Sequence, residues 1–140
     1  MVSTNLLKAQ ASVYDLDEIL QGHEDKITEL KVKHYFAPGV YAREALLPAG
    51  SVVVGKTHKT EHLNIISKGH CTVHCMGEIL EIHGPYTFVS KVGAKKAVYS
   101  YTDVIWTNIH VTNEVHLDKI EQEVIDGMAE LEFAHLKRLR

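Results

Sequence analysis

The chain has 140 residues, 45% of them hydrophobic and 24% charged. That length makes one domain with a core of its own, so a multidomain machine and wholesale disorder are both excluded. The formal net charge of -3 is unevenly spread. Residues 1–30 hold six acids and two bases, 31–113 nine bases and five acids, and 114–132 seven acids and one base. The basic middle also holds seven of the ten histidines. It suits a small anionic ligand, while duplex nucleic acid is excluded by the lack of a dense basic stripe. No stretch reaches the roughly 18 apolar residues of a membrane span. The first residues lack the basic lead and apolar run of a secretion signal, so a cytoplasmic location without membrane contact is expected.

One domain over 1–140 is expected, and its elements fall into three zones. A short helix is expected over about 12–21, with Ser12 as its N-cap, Asp15 in its first turn and Gly22 as its stop. From about 30 to 112 the text becomes short apolar or alternating runs: VYAREALL, SVVVGK, LNIIS, CTVHC, ILEIH, YTFVS, KAVYSY and VIWTNIHV. Turn residues such as Pro38-Gly39, Pro48-Ala49-Gly50, Met76-Gly77 and Gly84-Pro85 separate them. Eight short strands at intervals of roughly 8–12 residues predict an all-β sandwich or barrel, and no helix-length spacer allows a parallel α/β fold. Beyond that, Val115, Leu117, Ile120, Val124, Met128 and Leu131 recur at helical spacing through an acidic surface. They predict a C-terminal helix over about 115–136, broken near Gly127, lying on the barrel or on a second subunit.

Cys71 and Cys75 lie four apart in GHCTVHCMG. On a strand they sit roughly 13 Å apart at about 3.3 Å per residue, beyond the ~7 Å that a disulfide spans. His70, Cys71, His74 and Cys75 would make a zinc cluster only on a helix, and the flanking Thr and Val favour a strand whose cysteines face inward and whose His70 and His74 face out.

The densest chemistry lies in GSVVVGKTHKTEHLNIISKG, residues 50–69. With strands before and after Lys59-Thr60-Glu61, a tight hairpin would set His58 opposite His62, roughly 5 Å apart at Cβ. Lys56 would share their face. The late strand alternates Trp106, Asn108 and His110 onto one side. In KAVYSY, alternation groups Lys96, Val98 and Ser100 and sets Tyr99 with Tyr101 on the other face. One of Arg43 and Glu44 must point inward. His34, His116 and the turn residue His83 read as surface positions.

These spacings resemble the cupin superfamily. The first cupin motif, G-x5-H-x-H-x3-E-x6-G, aligns with Gly50, Lys56, His58, His62 and Gly69 at every interval, with Lys in place of the first His and His in place of Glu. The second survives in outline around Gly93, with Lys96 in the His position and Ser100 in the Asn position. The resemblance implies a double-stranded β-helix, or jelly-roll barrel, with the N- and C-terminal helices added. The chain is also similar to small cupin-like proteins of tailed bacteriophages, some of which resemble anti-defence factors that trap nucleotide-derived immune signals. That would place it in the host cytoplasm.

The substitutions change the chemistry that such a site supports. A protonated lysine cannot ligate a metal, so two lysines turn a metal site into a cationic pocket. The first reading is therefore a small-molecule-binding protein, with binding favoured over catalysis, that holds an anionic ligand, in its narrowest form a nucleotide-derived one. Lys56, His58, His62, Lys96 and Arg43 would grip it while Tyr99 and Trp106 stack on it. No cofactor is expected on that reading. The second is a metal-dependent isomerase, dioxygenase or lyase with zinc, manganese or iron on His58, His62 and His110, and with Glu61 or His62 as general base. The third is an assembly protein with a vestigial cavity. A homodimer is expected from pairing through exposed sheet edges.

Overall fold

The computed structural model describes residues 30–55 and 57–124. The helix expected over 12–21, the part of the C-terminal helix beyond 124, and Lys56 lie outside them. Nine strands form two antiparallel sheets. They are β1 Lys31–Ala37, β2 Val40–Leu47, β3 Val52–Val54, β4 His62–Lys68, β5 His70–Cys75, β6 Glu78–His83, β7 Tyr86–Ser90, β8 Lys96–Ser100 and β9 Val104–Val111. The first sheet runs β1-β2-β9-β4-β7 and the second β3-β8-β5-β6, which is an all-β jelly roll. One short helix, α1 (Leu117–Val124), follows.

Strands β2 to β9 fall on the eight runs read from sequence. Strand β1 was not among them. It pairs along its whole length with β2, but as an edge strand whose residues are nearly all exposed it carries no buried apolar run. The hairpin expected between β3 and β4 does not form. β3 pairs with β8 while β4 pairs with β7 and β9, so the chain passes from one sheet to the other between β3 and β4.

Strands β5 and β6 do form a hairpin. Its turn is Met76-Gly77, both at positive φ, a conformation that glycine adopts without steric cost. Cys71 and Val73 of β5 enter the core while His70 and Glu81 lie on the outside. The two cysteines are unpaired thiols, and burial raises Cys71 to about 11. His74, also on the outward side, is nevertheless buried.

The space between the sheets is divided along its length. Each inward-facing row of β2, β4, β8 and β9 passes from polar to apolar residues. In β2 it runs Tyr41, Arg43, Ala45, Leu47; in β9, from the opposite direction, His110, Asn108, Trp106, Val104. The register sets these two rows side by side, Tyr41 on His110 and Leu47 on Val104. β4 repeats the pattern with His62, Asn64 and Ile66, and β8 with Lys96 and Val98. The apolar half is the core, built from Ala45, Leu47, Val53, Ile66, Cys71, Val73, Ile82, Val98, Val104 and Trp106. The other half holds a cavity. Outside the first sheet, Tyr35, Ala42, Ile109, Leu63 and Val89 lie in register across all five strands.

Candidate functional site

Between the sheets, reaching from the polar half to Ala45, Leu47, Val53 and Val98 of the core, lies a cavity of about 140 Å³, far more than a single water needs. Arg43, His58, Asn64, Lys96, Trp106, Asn108 and His110 line it, with Tyr41 and His34 towards β1. Helix α1 closes one side. Its Leu117, Ile120 and Glu121 also line the cavity, and Ile120 is only 2% exposed. The helix is held there by Thr112, whose hydroxyl donates to the Glu123 carboxylate at 2.9 Å, and by Lys59, whose ammonium donates to the Gln122 carbonyl.

Three imidazoles converge at this end. The ring centroids of His58 and His62 are 4.3 Å apart, those of His62 and His110 4.7 Å, and those of His58 and His110 5.6 Å. His58 reaches the cluster from the crossover. Its backbone N–H donates to Ala94 at 3.0 Å, and its carbonyl accepts from Gly93 at 2.8 Å, so the β7–β8 loop fixes it. His62 opens β4, and its Nδ1 lies 3.1 Å from the Thr60 carbonyl. A carbonyl can only accept, so Nδ1 carries the hydrogen and Nε2 keeps a lone pair. That Nε2 is buried without a partner among the described residues, as are Nδ1 of His58 and Nδ1 of His110.

Burial dominates the electrostatics. It lowers His58 to about 2, aided by the neighbouring His62, Lys96 and His110. It lowers His110 to about 4, with His62, Lys96 and Arg43 adding to the effect. His62 is lowered as well, chiefly by burial and less by Lys96. All three rings are therefore neutral at pH 7. Lys96, 8% exposed, is lowered by burial to about 8. Burial likewise lowers Arg43, while Tyr41 and Glu121 beside it act the other way. Tyr41 is raised to about 12, mainly by burial. Its hydroxyl lies 2.7 Å from Nδ1 of His34.

A hydrogen-bonded frame sets the cavity floor. The Trp106 indole N–H donates to Oδ1 of Asn64 at 3.0 Å, and Nδ2 of Asn64 donates to the Ser90 hydroxyl at 2.8 Å. Strands β9, β4 and β7 are thereby tied through side chains beneath the imidazoles.

The cavity thus gathers His58, Lys96, Arg43, Trp106 and His110, with His62 packed against the two histidines. Tyr99 is not part of the lining. It is fully buried on the other side of β8, edge-on to Tyr101 at 4.8 Å, because strict alternation sends Lys96 and Val98 inward and Tyr99 outward. Glu61 lies on the surface, 3.6 Å from the Lys91 ammonium, and so is not placed to act as a base in the cavity. Sequence reading did not assign His34, Tyr41, Asn64 or Glu121 to the site. Period-2 alternation with Arg43 and with His62 was the available signal for Tyr41 and Asn64.

No family model matches the sequence, and no curated protein matches it. Solved structures do. Ectoine synthase from P. lautus superposes with a TM-score of 0.60 at 11% identity, covering 88% of this chain and 89% of that one. A cupin superfamily protein from Desulfitobacterium hafniense gives 0.52 at 10% identity over 66% of this chain and 86% of its own. A cupin 2 conserved barrel domain protein from Salinispora arenicola gives 0.50 at 13% identity over 59% and 76%. These likenesses establish a cupin-type β-barrel fold. Among the described residues no helix is long and apolar enough to cross a membrane.

Proposed function

We propose that this chain is a small-molecule-binding protein whose barrel cavity takes a small anion, a carboxylate or a phosphate ester. The observation that carries the reading is Lys96. Its side chain is buried against three neutral imidazoles, and among the described residues no carboxylate pairs with it. With a pKa of about 8 it remains mostly protonated at pH 7, so an entering anion would supply the counter-charge that burial withholds. Arg43 adds a planar fork suited to the same groups. Neutral imidazoles can donate ring N–H groups, while Trp106 and Leu117 offer apolar walls.

Sequestration of a nucleotide-derived signal is the narrowest form of this reading and rests on the phage-protein resemblance. A thermal-shift screen of the full chain with inorganic phosphate, mononucleotides and sugar acids tests both forms. At least one anion should raise the melting temperature in wild type and not in Lys96→Ala. No shift with any anion would refute the reading.

A second reading is favoured by the orphaned nitrogens. Three neutral imidazoles, one with its tautomer set by the Thr60 carbonyl, are the donor set of a transition-metal centre. Ligands about 2.1 Å from a shared ion bring their rings to about 5 Å between centroids, close to the spacings here. The donor atoms of His58, His62 and His110 do not all lie within 4.8 Å of one another, so the rings would have to turn to hold zinc, manganese or iron, which would supply Lewis-acid or redox chemistry, with Lys96 nearby to orient an anionic substrate. Metal analysis of protein purified without a His-tag separates the readings. A stoichiometric transition metal that is lost in His58→Ala would sink the metal-free pocket.

A further inference from the structure

Outside the barrel, on the outer face of the second sheet, a different set of side chains converges. His70 and His83 are register partners at the ends of β5 and β6. Cys71, Val73 and Ile82 point into the core, so the alternate residues His70, Glu81 and His83 point away from it. Glu81 sits two residues before His83 on the same face, and its Oε2 lies 2.7 Å from Nε2 of His70. The two imidazoles stack with centroids 3.9 Å apart and planes 14° from parallel. One ligand atom from each of the three lies within 4.8 Å of the others. No other set of three or more His, Cys, Asp or Glu among the described residues does so.

We propose that His70, Glu81 and His83 form a surface site for a divalent transition ion, zinc foremost, separate from the barrel cavity. Two imidazole nitrogens and one carboxylate oxygen favour zinc and its neighbours over magnesium or calcium, which prefer all-oxygen cages. On binding, the hydrogen between Nε2 of His70 and the Glu81 carboxylate moves to Nδ1 or to solvent, and the two rings turn out of their stack to bring the donors to about 2.0–2.2 Å from the ion. Exposure of Glu81 and His83 leaves the remaining positions to water.

The backbone around the site is fixed before any ion arrives. The His70 N–H donates to the Thr102 hydroxyl at 3.0 Å, and its carbonyl accepts from Tyr101 at 2.9 Å. Gly84 donates to the Gly69 carbonyl at 2.8 Å. Gly69 has φ +110°, and a Cβ there would stand 2.4 Å from the Asp103 carbonyl oxygen. The Tyr101 ring stacks on His70 at 4.4 Å. The donors therefore stand on strands already locked to the β8–β9 turn, which lowers the ordering cost of binding.

The test is calorimetric zinc titration of the tag-free, chelator-treated full chain. It uses wild type and a His58→Ala/His110→Ala background in which the cavity cluster is disabled. The background should bind one zinc ion per chain, and adding His83→Ala or Glu81→Gln should weaken that binding about tenfold or more. A background that binds no zinc, or binds it equally well without His83, overturns the proposal. NMR of wild type gives a readout that does not depend on the cavity variants folding. Zinc should shift the ring signals of His70 and His83, and binding that leaves both in place refutes the site.

Discussion

Replacing Lys96 with methionine should make the protein more stable while abolishing its capacity to hold an anion. A side chain of similar length then fills the same space without a charge to desolvate. The drop in the Lys96 pKa from 10.5 to about 8, at about 1.4 kcal/mol per unit, corresponds to about 3 kcal/mol by which the buried ammonium destabilises the fold. The pH dependence identifies the cause. Above 10.5 the lysine is neutral in both states, and the substitution should change little. As pH falls from 10.5 to 8 the unfolded chain takes up a proton that the folded one resists, so the gain from Lys96→Met grows by about 1.4 kcal/mol per unit. Below 8 it is constant. Urea denaturation of both proteins at pH 7, 8, 9 and 10.5 measures this directly, with an unchanged m-value showing that compactness is preserved. A variant less stable than wild type at pH 7, or a difference flat from 8 to 10.5, would refute the assignment of Lys96 as a desolvated cation.

The imidazole cluster acts in the same direction at lower pH. His58 and His110, at about 2 and about 4 when folded, bind protons more readily unfolded. Stability should be full above about pH 6.5 and fall by about 5 kcal/mol between 6.5 and 4.5 if both remain neutral. Urea midpoints across that window check it, and His110→Gln should reduce the slope. In the cavity floor, Asn64→Leu leaves the Trp106 indole N–H and the Ser90 hydroxyl without their Asn64 partner. Two lost partners at about 1–2 kcal/mol each predict a loss of about 3 kcal/mol. Denaturation of Asn64→Leu showing a loss under 1 kcal/mol would mean that this frame does not hold the floor.

The strands were legible wherever one face of a run is buried, because alternation and turn residues are local signals. KVKHYFA escaped because an edge strand with its residues exposed has no apolar face to display. The β3–β4 hairpin was misread for a related reason. A short polar link between two apolar runs looks alike whether it turns within one sheet or crosses to another, and only the partners, β8 for one and β7 and β9 for the other, decide. The crossover nevertheless brings the His58 and His62 rings to 4.3 Å between centroids. Asn64 and Tyr41 had the right phase but no mark of their own, since an isolated Asn or Tyr within a strand reads as sheet surface or core. Leu117, Ile120 and Glu121 reach the cavity only because α1 docks across it, a contact between residues far apart in the chain.

The division of the barrel explains how a domain of this size tolerates four titratable groups in one buried cluster. Burial of an ammonium and three imidazoles lowers stability at the polar end, and no ion pair among the described residues offsets it for Lys96. The opposite half of the same strands carries the compensation: Leu47, Val104, Ile66 and Val98 continue the rows that Arg43, Asn108, Asn64 and Lys96 occupy, and they pack with Cys71, Val73 and Ile82 into a continuous apolar core. Because each strand spans both halves, the apolar end fixes the register that aims the polar residues at one another. A one-residue slip of β9 against β2 would turn His110, Asn108, Trp106 and Val104 outward together. The apolar core, part of which also walls the cavity, thus preorganises the site, which is why its charged groups can remain desolvated until an anion or a metal ion arrives.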